Sequence, residues 1–322
     1  MQPLRIMVYR HSVFYSPLLA GIGNGFFAAE DFEPAYSVMP ADKTVGDFIA
    51  SGAIDVSQSA VSASWPYLER SERPPFVHFA QINQRDGFLI AARHLAGGVA
   101  SDPAEDFNWH ALRDARFMFV HGGQPQAMLA YALHRQGVDL AAVRAVDAGD
   151  TQQMLEAFRA GRGDYIHEQA PYPQQLESEG AARIVASVGR AIGPVAFSSL
   201  AASPAWLRSE AAPRFMRAYR KARGWVHTAP PAEVAARVRP FFPSIDGSAL
   251  LAAVSYYQRL ECWGADAAID PALYEAALDV FAHSNLITRR HPTRRSSYRH
   301  PIAPDFLGVC TPSLDMSAHV PI

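Results

Sequence analysis

Two hydrophobic periods alternate along this chain. Residues 4–9 (Leu-Arg-Ile-Met-Val-Tyr) form a short apolar run that predicts a buried strand. Ser16 and Pro17 then supply a helix start. The serine can accept the first free amides, and the proline fits the first helical position, where no N–H is needed. Leu18, Leu19, Ile22 and Phe26 recur at helical spacing, with Gly25 as a stop. The loop between strand and helix carries Arg10, His11, Phe14 and Tyr15. It follows the carboxyl end of a strand, where open α/β sheets place their ligands.

The alternation continues. Strands are predicted at 32–39 and 53–56, with a short helix at 44–51 closed by Gly52. Residues 58–65 read as a small-residue turn opening another helix, and 76–82 and 87–93 as two further strands of the same lobe. At 94–109 Gly, Ala, Asp, Pro and Asn dominate, which marks a lobe boundary. A second β-α series follows. It has a strand at 117–120, the turn His121-Gly-Gly-Gln-Pro125, a helix at 126–136 ended by Gly137, and a strand at 143–146. A helix at 152–160, capped by Asp150 or Thr151 and closed by Gly161, precedes strands at 164–167 and 182–188. Residues 193–203 return as a strand-like run, and 204–287 are mainly helical by period. The expected class is α/β, with mostly parallel sheets. Phe215, Tyr219, Ala222 and Val226 oppose Arg214, Arg217, Arg220, Lys221 and Arg223, which predicts a solvated basic helix face. From Arg289 onward arginines cluster among Pro, Ser and His without periodicity, as in a disordered or surface-draped tail.

Composition narrows the function classes. A chain of 322 residues, 49% hydrophobic, can build two lobes. A net charge of -2 gives no global field toward nucleic acid or anionic membrane. Two cysteines, Cys262 and Cys310, make neither a disulfide framework nor a zinc site. None of the histidines falls in an HxxxH or HExxH frame, and GxSxG is absent, so no metal, cofactor or serine nucleophile is expected. Residues 1–5 lead straight into the first strand, so no secretory leader is expected, and no window reaches the roughly 18 apolar residues of a membrane span. As written the chain reads as cytoplasmic; a leader upstream would make it periplasmic.

Chemistry could sit at three places. Phe14, Tyr15 and Trp65 could cage a planar ligand. The two glycines of His121-Gly-Gly could turn backbone amides toward an anion at a helix N-terminus, or simply make a tight turn. His167 and Glu168 are adjacent on a strand and so point to opposite faces, which disfavours a joint acid/base role. A single polar ligand contact from Glu168 or Gln169 fits better.

Four segments in order carry a resemblance. Tyr15-Ser-Pro-Leu-Leu-Ala-Gly-Ile-Gly-Asn-Gly-Phe-Phe-Ala-Ala-Glu30 resembles the opening of the family that groups the SsuA-type aliphatic-sulfonate-binding proteins with the yeast-type thiamine-pyrimidine synthase. Residues 48–56, 112–120 and 157–164 are similar to its later steps. The resemblance implies a two-lobe type 2 periplasmic-binding-protein fold with a helical C-terminal part. Lobe one would be 1–93 with the return 195–288, lobe two 94–194, and 289–322 an irregular tail. It implies a solute-binding protein that closes around a small planar or anionic metabolite, such as a sulfonate, nitrate or a thiamine-precursor pyrimidine, for an ABC transporter permease. Arg10, Phe14, Tyr15, Gln58, Ser59 and Trp65 would line one wall, Gly122, Gly123, Gln124 and Glu168 the other, with Ser198 near the return crossover. The synthase's pyridoxal-phosphate lysine falls on Ser59, its histidine on Ala63, and its cysteine-rich segment on residues 193–197, which hold no cysteine. Its Schiff-base chemistry is therefore not expected. The alternatives are a cytoplasmic enzyme on this fold, synthase-like or a decarboxylase or lyase, using Arg10, His121, His167 and Glu168, or a ligand sensor.

Overall fold

The computed structural model describes residues 1–40, 43–93, 103, 106–291, 294, 295, 309 and 310. The opening unit is strand β1 (Gln2–Val8), a 3-10 turn at Val13–Tyr15, helix α1 (Ser16–Gly23) and strand β2 (Phe32–Val38). The helix start differs from the expectation. Ser12 caps the 3-10 turn by accepting from Phe14 N, while the Ser16 hydroxyl donates to Val13 O at 2.6 Å. Helix α2 (Val45–Ala50) and strand β3 (Val56–Ser59) follow, then α3 (Trp65–Glu69), β4 (Val77–Asn83) and β5 (Phe88–Ala92). The next elements are β6 (Arg116–Met118), α4 (Gly123–Arg135), β7 (Arg144–Ala145), α5 (Thr151–Arg159), β8 (Tyr165–Gln169), α6 (Tyr172–Ser178), β9 (Arg183–Ser187) and α7 (Val188–Ile192). The return is β10 (Ser198–Ala202), then α8 (Pro204–Leu207), α9 (Ala211–Thr228), α10 (Pro231–Val238), α11 (Gly247–Arg259) and α12 (Pro271–His283).

Two sheets of like topology organise these elements. One runs β4-β10-β3-β1-β2 and the other β9-β5-β8-β6-β7. In each, parallel neighbours (β1 with β2 and β3; β6 with β7 and β8) sit beside a single strand that runs antiparallel to both its neighbours. That strand is β10 in the first sheet and β5 in the second. The chain therefore crosses between sheets twice, at 84–87 and 193–197. The crossings are tied together, Val195 N to Gln84 O at 2.9 Å and Phe197 N to Asn83 O at 3.1 Å.

Strand β5 corrects the sequence reading, which put 87–93 in lobe one. It pairs with β8 and β9, so the second sheet begins at Phe88. All five of its residues are buried, and a run buried on both faces reads alike in either sheet.

The basic face of α9 is solvated at Arg217, Arg220 and Lys221, as expected, and departs from that at Arg223. Arg217 pairs with Glu30 at 2.6 Å and Arg214 donates to Glu30 O. Arg223 is fully buried, donating to the carbonyls of Gln81, Ile82 and Asp266 where β4 enters the crossing. Part of the arginine-rich tail is also built into the first lobe. Arg290 pairs with Glu275 and Asp279, each at 2.7 Å, and His291 meets Glu69 at 2.6 Å. Short strands β11 (Arg294–Arg295) and β12 (Val309–Cys310) then extend the first sheet beyond β4. The C-terminal helices cover the first sheet and reach the second lobe, α11 packing on α6 and α12 on α4.

Candidate ligand site between the lobes

The parallel strands of both sheets end toward the space between the lobes. Arg10 lies two residues past β1, Gln58 near the end of β3, and Ser198 at the start of the antiparallel β10. From the other sheet, Glu168 and Gln169 end β8, and Thr151 opens α5 behind the capping box of Asp150 with Gln153. Carboxyl ends of parallel strands are where this architecture leaves backbone and side chains free to meet a ligand.

Arg10 crosses the interface. Its Nη1 donates to Thr151 Oγ1 at 2.8 Å and lies 3.5 Å from Glu168 Oε1. Thr151 Oγ1 donates in turn to Glu168 Oε2 at 2.9 Å, and Gln169 N donates to Oε1 at 2.8 Å. Glu168 is buried, at 1% exposure. Beside this group, Gln58 Oε1 accepts from Tyr9 N and Gln58 Nε2 donates to Ser198 Oγ at 3.3 Å. The Tyr15 phenol meets Ser198 and Gln169; burial pushes it up to about 12, against the pull of Arg10.

More bonds join the lobes. Ser62 Oγ donates to Gln124 Oε1 at 2.7 Å, and Gln124 Nε2 to Phe197 O at 2.7 Å. Ser12 Oγ donates to Ala170 O at 2.7 Å, and the Tyr172 hydroxyl to His11 O at 3.2 Å. Tyr257 on α11 donates its hydroxyl hydrogen to Gly87 O and accepts from Ala170 N, both at 2.9 Å.

His167 is fully buried and lies flat on Phe88, with ring centroids 4.4 Å apart and planes at 19°. Neither ring nitrogen has a partner among the described residues, and Gln169 Oε1 is in the same position. Burial, with Arg10 nearby, pulls the imidazole down to about 3, so it is neutral and offers one donor and one acceptor. Buried polar atoms are nearly always satisfied, and these three are exceptions carried by β8.

The structure thus brings Arg10, Tyr15, Gln58, Ser198, Gln124 and Glu168 to the interface. Others on the expected walls lie apart. Ser59, next to Gln58 on β3, takes the opposite side, bonding His78 Nε2 at 3.2 Å behind the sheet. Trp65 is core, its Nε1 donating to Tyr274 Oη at 2.9 Å and its ring edge-on to Phe281. Phe14 is fully buried between the crossings, against Phe197 and Tyr257. A Cβ on Gly87 would sit 2.5 Å from its ring, so only glycine lets that wedge approach. Gly122 and Gly123, at φ 77° and 59°, make the sharp entry to α4, but Gly122 N donates to Gln126 Oε1, and both line an exposed groove against His283, Ser284 and Leu286. His121 is exposed over Phe119. Neither it nor His167 bonds a carboxylate among the described residues, while Arg10 and Glu168 of the enzyme alternative are paired. Sequence reading missed Thr151 and Ser62 as interface groups. Thr151 was visible as a cap candidate, but its reach to Arg10 depends on the approach of the lobes.

A family model described as "NMT1/THI5 like" matches residues 14–233. The chain is 24% identical over 294 residues to the Bacillus subtilis (strain 168) protein named "Putative binding protein YtlA", covering 90% of this chain and 85% of that one. Among solved structures, the ligand-binding component of an ABC-type import system from Staphylococcus aureus, with zinc bound, superposes with a TM-score of 0.68 at 12% identity, covering 90% of this chain and 94% of that one. The alkanesulfonate-binding protein SsuA of Xanthomonas axonopodis pv. citri, bound to MOPS, gives 0.64 at 14% identity, with 90% and 95% covered. These likenesses identify the two-lobe binding-protein fold. Among the described residues no helix is long and apolar enough to cross a membrane.

Proposed function

This chain belongs to the NMT1/THI5-like family, and on that premise we propose that it is a solute-binding protein that closes its lobes around a small polar metabolite and delivers it to an ABC-type importer. The observation that carries the reading is the concentration of buried polar side chains on the facing strand ends of both sheets. They form cross-lobe bonds and leave three polar atoms unpartnered around His167 and Gln169. A hinge of two mutually bonded crossings suits rigid-body closure, in which ligand is held by both lobes and the bound state is favoured by its extra contacts. The permease partner and a compartment outside the cytoplasmic membrane follow from this reading.

The test is a thermal-shift and calorimetric screen of pyrimidines, sulfonates and aromatic acids, with small-angle scattering to read closure. A true ligand raises the melting temperature in a concentration-dependent way, contracts the particle and is recovered unchanged. Absence of any stabilising compound, or chemical conversion of the one that binds, counts against it.

A further inference from the structure

The group built from Arg10, Thr151 and Glu168 bears on what charge a solute can carry in this site. Glu168 accepts from Thr151 Oγ1 at 2.9 Å and Gln169 N at 2.8 Å, and forms an ion pair with Arg10 Nη1 at 3.5 Å. A carboxylate is acceptor-only and takes such a set well. Arg10 spends the same Nη1 on Thr151 Oγ1 at 2.8 Å, and its side chain is 29% exposed against 1% for Glu168. Tyr15 and Tyr172, which face this group, each sense Arg10 and Glu168 with opposite effect. A guest there meets a compensated pair, with the Coulomb attraction of the guanidinium largely cancelled by the carboxylate beside it. Recognition of a sulfonate or other anion draws on charge-assisted donors, and those that Arg10 keeps beyond Nη1 sit beside the charge of Glu168.

We propose that Glu168 sets the charge preference of this site: by compensating the charge of Arg10 it weakens the pull of the guanidinium on anionic solutes, so the site takes an uncharged one with both hydrogen-bond donors and acceptors. The second half follows from the atoms left over. The neutral imidazole of His167 offers a donor and an acceptor, and Gln169 Oε1 an acceptor, all buried and unpartnered among the described residues. The flat His167–Phe88 stack beside them is apolar on its faces. The inference rests on the interlobe solute-binding reading and narrows it.

The experiment uses the full chain and small charged probes, with methanesulfonate as anion and methylammonium as cation, read by calorimetry at constant low ionic strength. Wild-type protein binds neither measurably at tens of millimolar. Glu168→Gln keeps the side-chain shape and an oxygen for Thr151, frees the guanidinium, and gains methanesulfonate binding by at least about tenfold. Arg10→Gln leaves the carboxylate alone and gains methylammonium instead. Methanesulfonate binding by the wild type that Arg10→Gln abolishes overturns the proposal, and so does a folded Glu168→Gln protein that gains no anion binding. If Glu168→Gln fails to fold, the wild-type and Arg10→Gln arms decide. Failure of the solute-binding reading itself shows elsewhere, as a wild-type protein that no uncharged compound of the screen stabilises while the charge swaps still behave as stated.

Discussion

Tyr257→Phe tests whether the lobes are coupled through the hinge as the geometry says. The tyrosine is fully buried on α11, and its hydroxyl serves two backbone groups at once: Gly87 O in the first crossing and Ala170 N at the end of β8. Phenylalanine keeps the ring contacts with Phe14 and Trp263 at 4.9 and 5.6 Å and removes only the oxygen. A buried donor or acceptor left without its partner costs about 1–3 kcal/mol. Two are orphaned, and part of the loss is offset because a phenol no longer has to be desolvated, so the net is about 2–4 kcal/mol. With a urea m-value near 3 kcal/mol/M the unfolding midpoint falls by about 1 M. Equilibrium urea unfolding read by fluorescence and far-UV circular dichroism checks this, and hydrogen exchange at the Ala170 amide rises by the corresponding factor. An unchanged midpoint together with unchanged exchange at Ala170 refutes the claim that this hydroxyl joins α11 to both the crossing and the second lobe.

Further outcomes follow from other sites. Burial raises the Asp86 carboxyl to about 8, while its unfolded counterpart titrates near 3.9, so stability falls as pH rises through that window, by at most about 1.4 kcal/mol per unit. Burial pulls His78 to about 4 and His167 to about 3, below the unfolded value near 6.5, so their contribution is lost as pH falls from there. Urea titrations across pH should therefore peak near pH ~6.5, and Asp86→Asn, which keeps the acceptor for Phe88 N, removes the decline above that peak and steepens the acid limb below it. Trp65→Phe removes the bond to Tyr274 and lowers the melting temperature while leaving solute affinity unchanged, the reverse of a cleft residue. Asp150→Ala breaks the capping box of α5, costs about 1 kcal/mol and, by loosening Thr151, weakens solute binding measured by calorimetry.

The features legible in the sequence were those decided within a few residues. Thr44 and Asp47 close a capping box at α2, Asp150 and Gln153 another at α5. Gly52, Gly137 and Gly161 adopt the positive φ that ends those helices and α4. The apolar periods fix strands and helices because burial of one face is a local pattern, and the segment order yields the α/β class and the resemblance. The site was less legible. Arg10 and Glu168 are 158 positions apart, and only the docking of one lobe on the other pairs them. Gln58 and Ser59 look interchangeable in sequence, yet the strand sends one to Tyr9 and Ser198 and the other to His78. Trp65 resembles a ligand-stacking residue until Tyr274 and Phe281 enclose it. Strand 88–92 could have joined either sheet, and Arg223 could have faced solvent. In each case the deciding partner comes from a distant segment. Local chemistry determines which elements form, whereas the energy of a buried polar or charged group depends on what the fold brings against it.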